Sequence, residues 1–181
     1  WQQSRARKTR GELVSHTEVM LRLNYMASIS WATFGLVFLL AYPYDGRLLS
    51  PLVILAATPY FLAMASDLKY CGYNYSDIFR IYGFNLILLP VNLAGVLKSM
   101  QQALTGKKIP FARTPKVKNR TAAALPYVLS PLFIIGFSLF TVWRNVEGEN
   151  WGNAAFAGFN AFAATWAVIT YIGVKNMFVD I

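Results

Sequence analysis

The chain has little of what soluble enzymes are built from. Among 181 residues there is one cysteine, Cys71, and one histidine, His16. An internal disulfide is therefore excluded, and no His/Cys cluster with metal-ligand spacing can form. The eight acidic residues are scattered and form no D-x-D, which leaves no carboxylate couple for acid–base chemistry or for a divalent cation. No catalytic residue and no metal ligand are expected in this segment. Charged residues are also scarce, at 14% against the roughly 25% of a soluble domain. What is plentiful is apolar: 56% of residues are hydrophobic and 15% aromatic.

Uncharged runs extend from Leu23 to Tyr44 (22 residues), Leu48 to Ser66 (19), Ile81 to Leu97 (17), Thr121 to Trp143 (23) and Asn150 to Val174 (25). A hydrocarbon core of about 30 Å takes about 20 residues of helix to cross. The expected fold class is therefore all-α: a polytopic membrane helix bundle of four transmembrane helices plus cytoplasmic interfacial helices. The run from Asp77 to Leu104 is the ambiguous one, because it carries Arg80, Asn85, Pro90, Asn92, Gly95 and Lys98.

Charge resolves the ambiguity. Lys107, Lys108, Arg113, Lys116, Lys118 and Arg120 stand between Gly106 and Thr121 with no acid among them, and Arg5, Arg7, Lys8 and Arg10 mark the start of the chain. By the positive-inside rule both stretches face the cytoplasm, so an even number of crossings separates them. The expected organisation is a cytoplasmic basic interfacial helix over 1–22, two transmembrane helices in 23–66, and a cytoplasmic interface helix in 67–105. A basic loop follows at 106–121, then two transmembrane helices and the C-terminal end in 122–181. The first stretch also reads as a solvated charged linker. The loop from Arg144 to Gly152 has one base against two acids, which suits the outer side, and Trp143 and Trp151 bracket it as interfacial anchors. Ala154, Ala155, Ala157, Gly158, Ala161, Ala163 and Ala164 favour close helix packing. A start at Trp1 without an initiator Met reads as a piece of a longer protein.

The cations of 106–121, with the hydroxyls of Thr114 and Thr121, suit a diphosphate or sugar-phosphate ligand. They equally suit a stretch that fixes topology and touches anionic headgroups, each charge contributing about 1 kcal/mol. Phe111-Ala112-Arg113-Thr114-Pro115-Lys116 resembles the F-x-V-T-x-K gating loop of the cellulose synthase family, processive membrane glycosyltransferases of family 2. Phe111, Thr114 and Lys116 match, and Arg113 replaces the usual valine. In that family the motif likewise follows two spans and an interface helix and precedes two more spans.

The resemblance implies an inverting hexosyltransferase whose catalytic domain, with its Mg2+ or Mn2+, precedes this segment. It implies UDP-sugar and a nascent polysaccharide as partners, with UDP-glucose as the default donor, a lipid bilayer around the helices, and no nucleic acid. Phe111 would pack near the base, and Thr114 and Lys116 would contact the diphosphate. Arg113 would add a phosphate contact or signal a different linkage, such as β-1,3. Trp1 would be the last residue of a Q-x-x-R-W acceptor-binding motif, or else an ordinary interfacial tryptophan. The implied location is the bacterial inner (plasma) membrane, multi-pass, with the N-terminal segment and the gating-like loop cytoplasmic. A polymer channel needs polar groups in mid-span, and Asn85, Asn92, Tyr127 and Asn160 are its candidate lining residues, with Trp31, Tyr60, Phe84, Phe137, Ser138, Trp143 and Trp166 as aromatic or hydroxyl alternatives. For each, packing or lipid contact is the competing role. The competing function is a non-catalytic membrane bundle or transporter fragment whose basic loop binds anionic lipid.

Overall fold

The computed structural model describes residues 9–11, 15–45, 51–106, 125–173 and 175–176, and among these there is no strand. Within the described residues five long helices follow one another: α1 (His16–Ala41), α2 (Pro51–Tyr70), α3 (Asp77–Thr105), α4 (Leu125–Glu147) and α5 (Trp151–Ala167). A 3-10 turn, Tyr42–Tyr44, extends α1, and a π-helical turn, Val168–Ile172, extends α5. The Ser15 side chain caps α1 by accepting the Thr17 N–H, so the helix starts seven residues before the uncharged run that opens at Leu23. Residues 16–22, expected as a separate surface helix, are its first turns. At the other extreme of α3, Gly106 takes a left-handed φ of 67° and its N–H closes on the Gln102 carbonyl, a conformation that glycine adopts without steric cost.

Among the described residues four segments are long and apolar enough to cross a membrane: Ala27–Tyr44, Asp77–Thr105, Leu125–Glu147 and Trp151–Ile172. The chain is an all-α, multi-pass membrane helix bundle. Its outward surface is apolar, with Trp31, Phe133 and Leu139 exposed, as lipid-facing positions should be. Its centre is built on the small residues of α5. Ala157, Ala164 and Ala167 have no exposed surface, and Ala154, Ala161 and Ala163 are buried beside them.

Tyr82, Leu86 and Leu89 of α3 fill the core with Ile134 of α4 and Ala163 and Ala164 of α5, and Leu36, Leu39 and Leu40 of α1 close it. α3 approaches α5 so closely that a Cβ on Gly83 would lie 2.6 Å from the Ala163 carbonyl oxygen. The Asp77–Thr105 segment, expected as an interface helix within 67–105, thus packs lengthwise against the bundle. Its polar residues do not prevent this. Asn85 donates its amide to the Ile81 carbonyl of its own helix, and Arg80 pairs with Asp77. α2 packs chiefly along α3.

The helix register fixes which termini share an end. Phe79 meets Phe159, Tyr82 meets Asn160 and Ile87 meets Ala167, so α3 and α5 run parallel. α1 runs against them, since Leu39 lies beside Asn160 while Tyr42, farther along the chain from α1, meets Phe156, earlier in α5. The last residues of α1 and α4 and the first of α3 and α5 are therefore at one end. The start of α1, the end of α3 and the start of α4 are at the other.

Candidate functional site

The residues that the sequence proposes for nucleotide contact, Phe111, Arg113, Thr114 and Lys116, lie outside the described residues, as do Trp1 and all of the gating-like loop beyond Gly106. The four proposed channel-lining residues are described, and they have different surroundings. Tyr127 is exposed in the first turn of α4, Asn92 is half-buried on α3, and Asn85 is half-buried with its amide turned back on Ile81. Asn160 has no exposed surface. Its Oδ1 accepts the Tyr82 hydroxyl at 2.6 Å, and its Nδ2 donates to the Leu39 carbonyl at 3.2 Å. One amide thus joins α1, α3 and α5, and protein surrounds it on every side.

A second polar joint locks the end of the bundle where α1 turns. Asn145 donates to the Pro43 carbonyl at 2.8 Å and to the Thr141 carbonyl at 2.7 Å. Its neighbour Arg144 donates to the Tyr44 carbonyl at 2.9 Å and sits 4.1 Å from the centre of the Tyr44 ring. Both residues fall in what charge and composition mark as a loop. The helix continues to Glu147 because their side chains find partners a hundred residues away. Ser138, Thr141 and Asn145 recur at helical spacing on the inner face of α4, which is the only mark of this role in the sequence.

Three buried groups in the same region have no hydrogen-bond partner among the described residues: the Tyr42 hydroxyl, the Ser138 hydroxyl and both amide atoms of Asn153. In hydrocarbon such groups cost several kcal/mol on the order of magnitude that confines them elsewhere to polar joints. They make the inner face of the α4–α5 hairpin a polar seam within an apolar bundle.

On the outer surface a cleft of about 260 Å3 opens between α3 and α5, lined by Ser76, Phe79, Arg80, Phe159, Phe162, Ala163 and Trp166. Phe79 stands edge-on to Phe159 at 5.9 Å, and Tyr82 stacks on Phe159 from inside at 5.5 Å. At its rim the Arg80 Nη1 is 3.1 Å from the Asp77 Oδ1. The other oxygen of Asp77, Oδ2, accepts the Asn74 N–H at 2.9 Å, which fixes the turn preceding α3. Of this constellation Trp166 stands out in the sequence as an aromatic in mid-span and Arg80 as a charge in the ambiguous run. The others come together through the parallel register of two helices separated by 80 residues.

No family model, no curated protein and no solved structure matches the chain.

Proposed function

We propose that this chain is the membrane-embedded channel and gating-loop part of a processive, UDP-sugar-dependent polysaccharide (β-glucan) synthase. Polymer elongation in a preceding catalytic domain would be coupled to translocation along these helices, in a bacterial inner membrane with the N-terminal segment and basic stretch cytoplasmic. The observation that carries the reading is the stretch Phe111 to Lys116, placed between helices of a multi-pass bundle and resembling the gating loop of the cellulose synthase family. Two ionic donors, Arg113 and Lys116, and the Thr114 hydroxyl suit a diphosphate, because charge-assisted hydrogen bonds are about twice as strong as neutral ones. Phe111 supplies an apolar face for the base. A loop inserted over the nucleotide also excludes water.

The divalent cation that the family uses would belong to the catalytic domain. Among the described residues no three His, Cys, Asp or Glu side chains gather to hold one, and no role proposed here depends on it.

The reading is tested in the intact protein. Thr114→Ala and Lys116→Ala should each lower UDP-sugar turnover about tenfold or more, the effect of losing a hydrogen bond to a charged group of about 1.5 kcal/mol or above. Lys107→Ala and Lys118→Ala should leave it close to wild type. Unchanged turnover in both of the first pair, with normal membrane insertion, would reduce the basic stretch to a contact for anionic lipid.

A further inference from the structure

The chain enters and leaves α2 at one level of the bundle. The Tyr42 ring meets Phe156, and the Tyr44 carbonyl accepts the Arg144 guanidinium, so Asp45 departs near the level of residue 156 of α5. α3 begins at Asp77, two residues before the Phe79 that meets Phe159, near the level of residue 157. Both points lie five or six residues along α5, about 8–9 Å, from Trp151, whose exposed ring marks the membrane interface together with that of Trp143. α2 has 20 residues and is about 30 Å long. Its C-terminal end is held close to Asp77: the Cys71 and Tyr73 N–H groups close on the Asp67 and Leu68 carbonyls, and Asp77 Oδ2 accepts the Asn74 N–H. Its N-terminal end, Pro51, is six residues from Asp45, at most about 21 Å of fully extended chain. To start at the opposite face, α2 would need that link stretched through hydrocarbon with Gly46 and Arg47 in it and its backbone groups unpaired, which a bilayer does not tolerate.

We propose that α2 does not cross the membrane but lies in the leaflet at the Trp143 and Trp151 end, taking phospholipid acyl chains along the side not packed on α3. Composition selects the occupant. The only charges of α2, Asp67 and Lys69, stand near its C-terminal end, and the helix before them is too apolar to rest in water. Phe61, Met64, Ala65 and Leu68 are half-buried at helical spacing and make its covered side, and none of its described side chains is buried. Leu55 and Leu62 are exposed, continuing the apolar outer surface that Phe133 and Leu139 present on α4. Tyr70, Tyr73 and Tyr75, exposed around the turn, and the Lys69 amino group 5.9 Å from the Tyr75 ring centre have the amphipathic chemistry of the headgroup level. Lipid contact along α2 does not depend on what the stretch at Phe111 binds.

The test uses the intact protein in phosphatidylcholine and phosphatidylglycerol vesicles of known protein orientation. An impermeant maleimide should reach the native Cys71 from the same side as a cysteine at Asp45, placed in a Cys71→Ser background. Labelling from opposite sides would mean that α2 crosses. In that background spin labels at Leu55→Cys, Leu62→Cys and Lys69→Cys, seven residues apart on one exposed side, should lie within about 10 Å of one another in depth and short of the bilayer centre, as read from relaxation by oxygen and by a water-soluble nickel complex. Phe133→Cys and Phe140→Cys on α4, which crosses, should differ by about 10 Å over a single interval of seven. A spread of about 20 Å across α2, or any of its labels past the bilayer centre, would overturn the proposal. So would nickel contact at positions 55 and 62 equal to that of oxygen, which means water, or shielding of both from either reagent, which means a protein partner such as a second copy of this chain.

Discussion

The joint between Tyr82 and Asn160 gives a quantitative test of how the bundle is held. Tyr82→Phe keeps the ring stacked on Phe159 but removes the donor to Asn160 Oδ1, leaving a buried acceptor unpaired. An unpaired buried group costs about 1–3 kcal/mol in general. Within membranes single interhelical hydrogen bonds average about 0.6 and reach about 1.7 kcal/mol. The 2.6 Å separation lies at the short end of the O–H···O range, which favours the upper part of that span, so about 1 kcal/mol is expected. Asn160→Ala should cost more, about 2–3 kcal/mol, because it also breaks the bond to Leu39 and leaves a small void among residues with no exposed surface. The two substitutions share one bond, so the double variant should be less destabilised than their sum by about 1 kcal/mol. Reversible unfolding in mixed micelles of rising SDS fraction measures all four corners of the cycle. Additivity within about 0.3 kcal/mol would refute the claim that this bond joins α3 to α5.

Asn85→Ala should cost under about 0.5 kcal/mol in the same assay, since its amide bonds only to its own helix and the variant leaves just a backbone carbonyl already used by the helix. Gly83→Ala should destabilise by about 1–3 kcal/mol because the new Cβ meets backbone on α5, whereas Gly95→Ala, with open space around it, should stabilise by up to about 1 kcal/mol. The reverse order in the unfolding assay would contradict the close α3–α5 approach. Asn145→Ala should loosen the turn at Pro43 and Tyr44 and raise amide exchange there, with exchange at wild-type rates counting against the clamp. Cys71, exposed in the turn before α3, should react with an impermeant maleimide from the side opposite to a cysteine placed at Lys107. Labelling of both from one side would mean that α3 does not cross.

Much of the architecture is legible in the sequence because uncharged runs of bilayer length are themselves the physical requirement for spanning. The small side chains of α5 are legible for a related reason: backbones that approach closely need them, and Ala157, Ala161 and Ala164 are buried as that requirement implies. Helix ends are less legible. α4 runs past Trp143 through Arg144 and Asn145 only because the turn at Tyr42–Tyr44 offers carbonyls to both, and nothing local to either segment announces the other. The role of Asn160 is half legible. A mid-span amide signals that some polar partner exists, but its identity depends on the register of α3, which places a tyrosine hydroxyl opposite it. The gating-like loop is legible only by resemblance, through three residues at fixed spacing.

The third run shows why hydropathy and parity together leave a choice open. Parity requires two crossings between the basic start and the basic loop, and it is satisfied by α1 with α2 or by α1 with α3. Polar residues in α3 lower its apparent suitability when they are counted singly. In the fold they are neutralised in place, Arg80 by Asp77 and Asn85 by Ile81, so the helix presents to the bundle an unbroken apolar face of Tyr82, Leu86 and Leu89. The parallel register with α5 adds a constraint of depth. Ile87 is level with Ala167, so the π-helical turn at Ile172 is reached near residue 92, and the last dozen residues of α3 extend about 20 Å farther toward the basic loop. α1 extends on the same side, since His16 to Met26 precede its apolar window, which opens at Ala27. One helix therefore serves two purposes: residues from Tyr82 to Val96 pack into the bundle, and the exposed residues from Leu97 onward, Lys98, Gln101 and Gln102 among them, carry α3 to its end at Thr105.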